Sequence, residues 1–167
     1  MGSRNSIPHR DSGPYEYYPL DVREIALIPD EHEIVVNPKN GLALLVDWDL
    51  REVRADSQFE PEACKVIMKL LNDWPAFVPY EKLLPLISHE APAQIAERIE
   101  AARFADTLEQ VIAPLVTILD QCKPTLARLG LAIYPMLEHG YLLISCNDTS
   151  QWNGQDEGKG TASADDL

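Results

Sequence analysis

The side chains able to do covalent or metal chemistry are few and do not cluster. His9, His32, His89 and His139 share no ligand spacing with one another or with Cys64, Cys122 and Cys146, so each histidine reads as solvated surface. The cysteines are odd in number and lack Cys-x-x-Cys spacing, with Cys64 and Cys122 inside helical patterns. They read as reduced structural thiols, which predicts a cytoplasmic protein. Asp47 and Asp49 flank Trp48 as an acidic pair, but short acidic side chains in a turn are explained by hydrogen bonds to the turn's own backbone. No nucleophile–base pair, phosphate-cradling glycine loop or Walker-type motif is present. The expectation is a non-enzymatic chain with no catalytic residue, no metal ligand and no cofactor.

Charge is the next chemistry to consider. The chain has 14 basic and 27 acidic residues, a net charge of −13. Affinity for nucleic acid comes largely from Lys and Arg displacing counterions from phosphates, so the balance disfavours DNA as a partner. The acidity is not confined to a tail, because residues 42–146 alone carry 9 basic and 15 acidic side chains. Between Phe104 and Cys122 there is no Lys or Arg, while Asp106, Glu109 and Asp120 are acidic. No run of eighteen apolar residues occurs, which argues against a membrane partner, and no apolar stretch follows the N-terminal basic residues as a secretory signal requires.

These residues are expected to be positioned by one α+β domain over residues 20–146, between a flexible arm (1–19) and an acidic tail (147–167) too polar to order itself. Trp152 is the tail's one large apolar residue. Turn residues separating brief β-branched runs predict strands at Arg23–Ile28, Glu33–Val36, Leu42–Val46 and Glu52–Arg54 as an antiparallel meander. Helical spacing then takes over. A first helix, with Pro61 in its first turn, buries Ala63, Val66, Ile67, Leu70 and Leu71. A short second carries Tyr80, Leu83, Leu84 and Leu86, and a third runs from Pro92 to Phe104. A fourth starts near Thr107 with Asp106 as its N-cap and carries Leu108, Val111, Ile112, Leu115 and Leu119 on one stripe. Pro114 lies inside that stripe and predicts a kink, or an end and restart, at a cost of roughly 3 kcal/mol. Leu131–Ile133 and Tyr141–Ile144 close the domain as a hairpin with a seven-residue link. Trp48, Trp74 and Phe77 read as core or link anchors.

This order, with particular residues, resembles the C-terminal effector domain of OmpR/PhoB-type response regulators from about Leu42 to Ile144. The stretch LLVDWDLREVRADSQFEPEACKVIMKLL resembles the family's paired strands, turn and Leu-Thr-Pro helix start, with Phe59, Glu60 and Pro61 in the Leu-Thr-Pro positions. The run from Asp73 to Leu84 resembles the link into the helix before the recognition helix. Thr107, Ile112, Leu115 and Leu119 match the apolar register of the recognition helix, and Ile133 with Gly140 and Tyr141 matches the wing. The resemblance implies a winged helix-turn-helix whose fourth helix enters the major groove while the wing reaches a minor groove.

The residues depart from that pattern where DNA is read. Ala113, Pro114, Val116 and Thr117 stand where the family's helix often carries a basic run, and Leu137, Glu138 and His139 where its wing presents an arginine. Those seven residues are therefore the candidate surface for a protein partner: transcription machinery, a signalling protein or a second copy. Val116, Ile118, Pro135, Met136 and Leu137 form an exposed apolar patch in one reading; in the other the third helix covers them. The segment Ser88–Ala105 is longer and more helical than the family's loop, which leaves a protein-contact role open there too. The alternative is a DNA-binding regulator relying on basic residues that converge on one face, chiefly Lys82, Arg98, Arg103, Lys123 and Arg128, with Lys65 and Lys69 also available. A further alternative is an acidic mimic of nucleic acid, which needs a row of carboxylates at phosphate-like spacing. At 41 residues, the stretch ahead of Leu42 is too short for a receiver domain.

Overall fold

A computed structural model describes residues 14–22 and 25–146. Strands β4 (His32–Asn37), β5 (Leu42–Asp47) and β6 (Glu52–Gln58) follow one another as antiparallel hairpins, and β1 (Glu16–Tyr18) pairs on the outer edge of β4. Their turns are built from local chemistry. Asn37 Oδ1 accepts the Lys39 amide and Asn40 Oδ1 accepts the Leu42 amide, both at 2.9 Å. Gly41 closes this turn at φ +79°, where a Cβ would also collide with the Phe59 carbonyl. In the next turn Asp47 Oδ1 accepts the amides of Asp49 and Leu50 at 3.0 and 3.1 Å, the turn role expected of this acidic pair.

Alternation along the strands sends Ile34, Val36 and Ala43 into the main core and Val35, Leu44 and Val46 to the opposite face. That second face is closed as well. Tyr15, Tyr17, Leu42, Trp48 and Val53 pack over it, and Trp48 Nε1 donates to Glu33 Oε1 at 2.9 Å.

The helices cover the first face. Pro61 opens α1 (Pro61–Asp73), which buries Ala63, Cys64, Val66, Ile67, Leu70 and Leu71 as one stripe. Two-residue strand β7 (Val78–Pro79) leads into α2 (Tyr80–Leu83), a 3-10 turn over Leu84–Leu86, and α3 (Pro92–Ala105). Helix α4 (Leu108–Arg128) buries Ile112, Leu115, Leu119, Cys122 and Leu126. Strands β8 (Leu131–Met136) and β9 (Gly140–Ser145) then form a hairpin, and β7 adds to β9 to give a three-stranded sheet of order β7-β9-β8. The α+β class is as expected. Among the described residues no helix is long and apolar enough to cross a membrane.

Several local expectations are overturned. Residues 16–18 belong to the sheet although they fall in the stretch read as an arm; a three-residue strand is too short to show a period. Of the strand expected over Arg23–Ile28, Arg23 and Glu24 lie outside the described residues; Ile25 and Ala26 form β3, which pairs antiparallel with β2 (Asp21–Val22). Strand β6 runs past Arg54 to Gln58, held by its ladder to β5. Asp106 does not cap α4; it ends α3 in the left-handed region (φ 62°, ψ 37°), and Thr107 precedes α4 with no side-chain cap bond. The seven-residue link shrinks to Leu137–His139, because Pro135 pairs with Tyr141 and Met136 with Gly140. A proline is tolerated there since β8 pairs on one side only. Finally, α4 does not end and restart at Pro114; it is one helix carrying both Pro114 and Pro124. Both prolines, and the Gln110 and Asp120 residues whose carbonyls lose their amide donors, are exposed, so water can satisfy what the helix leaves open. The tail, His9 and Trp152 lie outside the described residues.

Candidate protein-docking surface

The outward face of α4 follows from its apolar stripe: with Ile112, Leu115, Leu119 and Cys122 turned inward, Gln110, Ala113, Pro114, Thr117, Gln121 and Pro124 are exposed. None of these six carries a charge; the charged residues exposed on α4 are Glu109 and Asp120 and, in its last two turns, Lys123 and Arg128. Thr117 turns its hydroxyl back to the Ala113 carbonyl at 3.1 Å, so even this polar group serves its own helix. Val116 is half-buried and, like Ile118, packs against the main core. Of the five residues weighed as an apolar patch, Val116, Ile118 and Met136 are half-buried while Pro135 and Leu137 are exposed.

Leu137, Glu138 and His139 form the tip of the β8–β9 hairpin, and contacts from three other segments fix it. Glu138 lies in the left-handed region (φ 66°), where a non-glycine residue needs outside support. The Arg103 Nε group donates to the Glu138 carbonyl at 3.0 Å, and Arg103 Nη1 to Glu81 Oε2 at 2.7 Å, tying α3 and α2 to the tip. Tyr80 N donates to the His139 carbonyl at 2.9 Å, and His139 N to the Met136 carbonyl at 2.8 Å. The Phe77 ring lies 6.3 Å from the His139 ring. Phe77, read as a core or link anchor, lies exposed in the link after α1 as a neighbour of the tip. Below, Tyr80 and Tyr141 meet edge to face at 5.8 Å. Gly140 is required here because a Cβ would strike the Val78 carbonyl of the paired strand.

Electrostatics agree with this anchoring. Burial works to raise the Glu81 carboxyl, but the Arg103 hydrogen bond, a backbone hydrogen bond and the charges of Arg103 and His139 outweigh it, and the group titrates below its ordinary value. The Glu81 hydrogen bond in turn raises Arg103. Burial, with neighbouring Tyr80 and Asp120 adding to it, pushes the Tyr141 hydroxyl up to about 12.

The basic residues do not gather. Of the nine Lys and Arg in residues 42–146, six face a carboxylate: Arg54–Glu52, Lys69–Asp73, Arg98–Glu90, Arg103–Glu81, Lys123–Asp120 and Arg128–Asp56. Arg103 sits just before α4 begins and Arg128 at its end, about 30 Å apart along a helix of this length. Arg128 also donates Nε to the Asp56 carbonyl at 3.0 Å, binding α4 to β6. Lys82 is exposed on α2 beside Glu81. Nor is there a row of carboxylates along α4, where Glu109 and Asp120 are separated by three turns and Asp120 is paired.

The remaining chemistry stays dispersed. His32 is not solvated surface: its Nδ1 lies 2.8 Å from the Asp30 carbonyl and its Nε2 3.8 Å from Asp47 Oδ2. His89 and His139 are exposed. All three cysteines are free, and burial pushes the Cys122 thiol up to about 11. Among the described residues no group of three or more His, Cys, Asp or Glu is placed to hold a metal ion. A cleft of about 640 Å³ between the start of α1 and α4 is lined by Phe59, Glu62, Ile118, Cys122 and Thr125, among others, and brings no acid–base pair together.

The structure therefore divides the seven candidate residues into two groups. Ala113, Pro114, Val116 and Thr117 lie on α4, and Leu137, Glu138 and His139 at the tip; no hydrogen bond, ion pair or ring contact joins the groups among the described residues. Sequence reasoning missed Phe77 as a neighbour of the tip; Phe104 is exposed on the outer side of α3, where its place off the Ile95–Ile99 stripe was the sequence signal. No family model matches the chain, and neither a curated protein nor a solved structure matches it.

Proposed function

We propose that this chain is a non-enzymatic regulatory protein, connected with transcription, that uses a winged helix-turn-helix scaffold of the OmpR/PhoB type to bind another protein. The element order supports the scaffold: a four-stranded antiparallel sheet, then helices, with a short strand after α1 that joins the terminal hairpin. On this reading α4 is the recognition helix and the β8–β9 hairpin the wing. One observation carries the choice of partner. Ahead of its last two turns α4 carries no Lys or Arg, its Lys123 and Arg128 face Asp120 and Asp56, and six of the nine cations in residues 42–146 face carboxylates. With few cations left to displace counterions, duplex DNA gains little from docking here.

An electrophoretic shift with genomic DNA fragments at about 50 mM salt tests this. No retarded band is expected. A robust shift that fades steeply as salt rises would overturn the proposal in favour of a DNA-binding regulator using Lys82, Arg98, Arg103, Lys123 and Arg128.

A further inference from the structure

A hollow of about 420 Å³ lies beside the last of the described residues. Its walls come from the segment Ala26–Pro29, from Leu45 of β5 and from the junction of α4 with β8 at Leu129 and Gly130, and Ser145 and Cys146 complete it. Among the described residues no charged side chain lines it, and Leu27, Ile28 and Leu129 are buried. Gly130 leaves it open: the backbone there needs glycine for its φ of +82°, yet a Cβ would meet nothing within 4 Å. The walls are fixed by backbone bonds, Leu27 N donating to the Leu20 carbonyl at 2.9 Å and Gly130 N to the Ala127 carbonyl at 3.0 Å. Preformed apolar hollows that hold small ligands measure about 300–1,000 Å³, so this one has room for a single side chain of the largest kind.

The chain leaves the domain at the same place. Cys146 N donates to the Gly130 carbonyl at 3.0 Å and its Sγ to the Leu131 carbonyl at 3.4 Å, which pins the exit to the rim of the hollow. Six positions further on is Trp152, the only aromatic residue after Tyr141. The five residues between, Asn147 to Gln151, span at most about 20 Å. Asn, Asp, Thr and Ser among them are types that reverse a chain's direction. So short a link holds its end near the hollow at an effective concentration on the order of millimolar. An indole buries about 150–250 Å² of surface, and Asp148 is the one charge in the link that would travel with it.

We infer that Trp152 folds back into this hollow, its indole seated among Leu27, Leu45 and Leu129, so that the chain closes the site with its own tail. The inference does not depend on which partner the domain takes. NMR of the intact chain, methyl-labelled and compared with a Trp152→Ser variant, tests it; unchanged Leu44 and Ile67 signals from the two cores verify that the variant keeps its fold. NOEs should join the Trp152 ring to the methyl groups of Leu27, Leu45 and Leu129, and the ring-current shifts of those methyls should be lost in the variant. N-acetyltryptophanamide, added at the millimolar level the link itself provides, should then move the same methyl signals at least twofold further in the variant than in the intact chain. Absence of the NOEs, an equal response of both chains to the amide, or no response of the variant would each overturn the inference. NOEs that arise only between labelled and unlabelled copies would overturn it too, by giving the hollow to a second chain.

Discussion

The two larger antiparallel sheets among the described residues are of opposite character. The four-stranded sheet is closed on both faces, with Val35, Leu44 and Val46 sealed under aromatic side chains and its turns made by Asn37, Asn40, Asp47 and Gly41 from within. The three-stranded sheet instead ends in a tip that exposes Leu137 and relies on Arg103, Tyr80 and Phe77 from elsewhere in the chain. A turn that satisfies its own backbone depends little on segments distant in the chain. A tip held from outside can keep an apolar residue in water at a fixed position, which a binding surface requires.

The comparison is open to test by substitution. Leu44→Ala, which opens a cavity in the sealed face, should lower stability by about 3 kcal/mol in urea unfolding while leaving exchange at the tip unchanged relative to the rest. Coupled loss at the tip would show that the sheets are not independent. Gly140→Ala forces a Cβ into the Val78 carbonyl and should cost about 2 kcal/mol, with amide exchange of Tyr80 and Tyr141 accelerated and β4–β6 protected. Asp47→Ala leaves two turn amides without their acceptor and should cost about 1 kcal/mol, with faster exchange in the β5–β6 turn and shifted His32 ring signals, since His32 Nε2 faces the same carboxylate. Arg103→Met should cost less than these, because its pair with Glu81 is about a third exposed and screened by solvent, yet it should free the tip and speed exchange of the Tyr80 amide.

Acid supplies the smallest effect and a clear sign. The folded Glu81 carboxyl titrates below its ordinary 4.5, so its stabilisation of the tip is fully present above that value and is lost as pH falls through the lower folded value. Following the Glu81 side-chain carbon by NMR should give a midpoint under 4.5, with the His139 signals moving in step. A midpoint at or above 4.5 would mean that Arg103 does not hold the tip in solution.

Much of the fold could be read along the chain. The three long strands of the first sheet, helix α1 from Pro61 and the apolar register of α4 all follow from period and punctuation, because each element repeats its signal over two turns or several pleats. The missed elements are short: β1, the β2–β3 pair and β7 have two or three residues, so only their partners define them. Asp106 misled because the residue types that cap a helix also adopt the left-handed conformation that ends one. Of the candidate surface, the lack of Lys and Arg between Phe104 and Cys122 was readable as a count. The approach of Phe77 to His139 was not, since those residues are 62 positions apart and meet only through the pairing of β7 with β9.

The chain's own order of residues thus determined its class and its charge: an acidic α+β domain with no cation between Phe104 and Cys122. Composition and period are local properties, and neither needs a partner element to be expressed. Tertiary structure alone decided that α4 runs unbroken through two prolines, that six of the nine cations in residues 42–146 face carboxylates, and that Phe77 is exposed beside the hairpin tip. Those outcomes depend on which groups lie within a few ångströms across elements, and contact across elements is information a linear pattern does not carry.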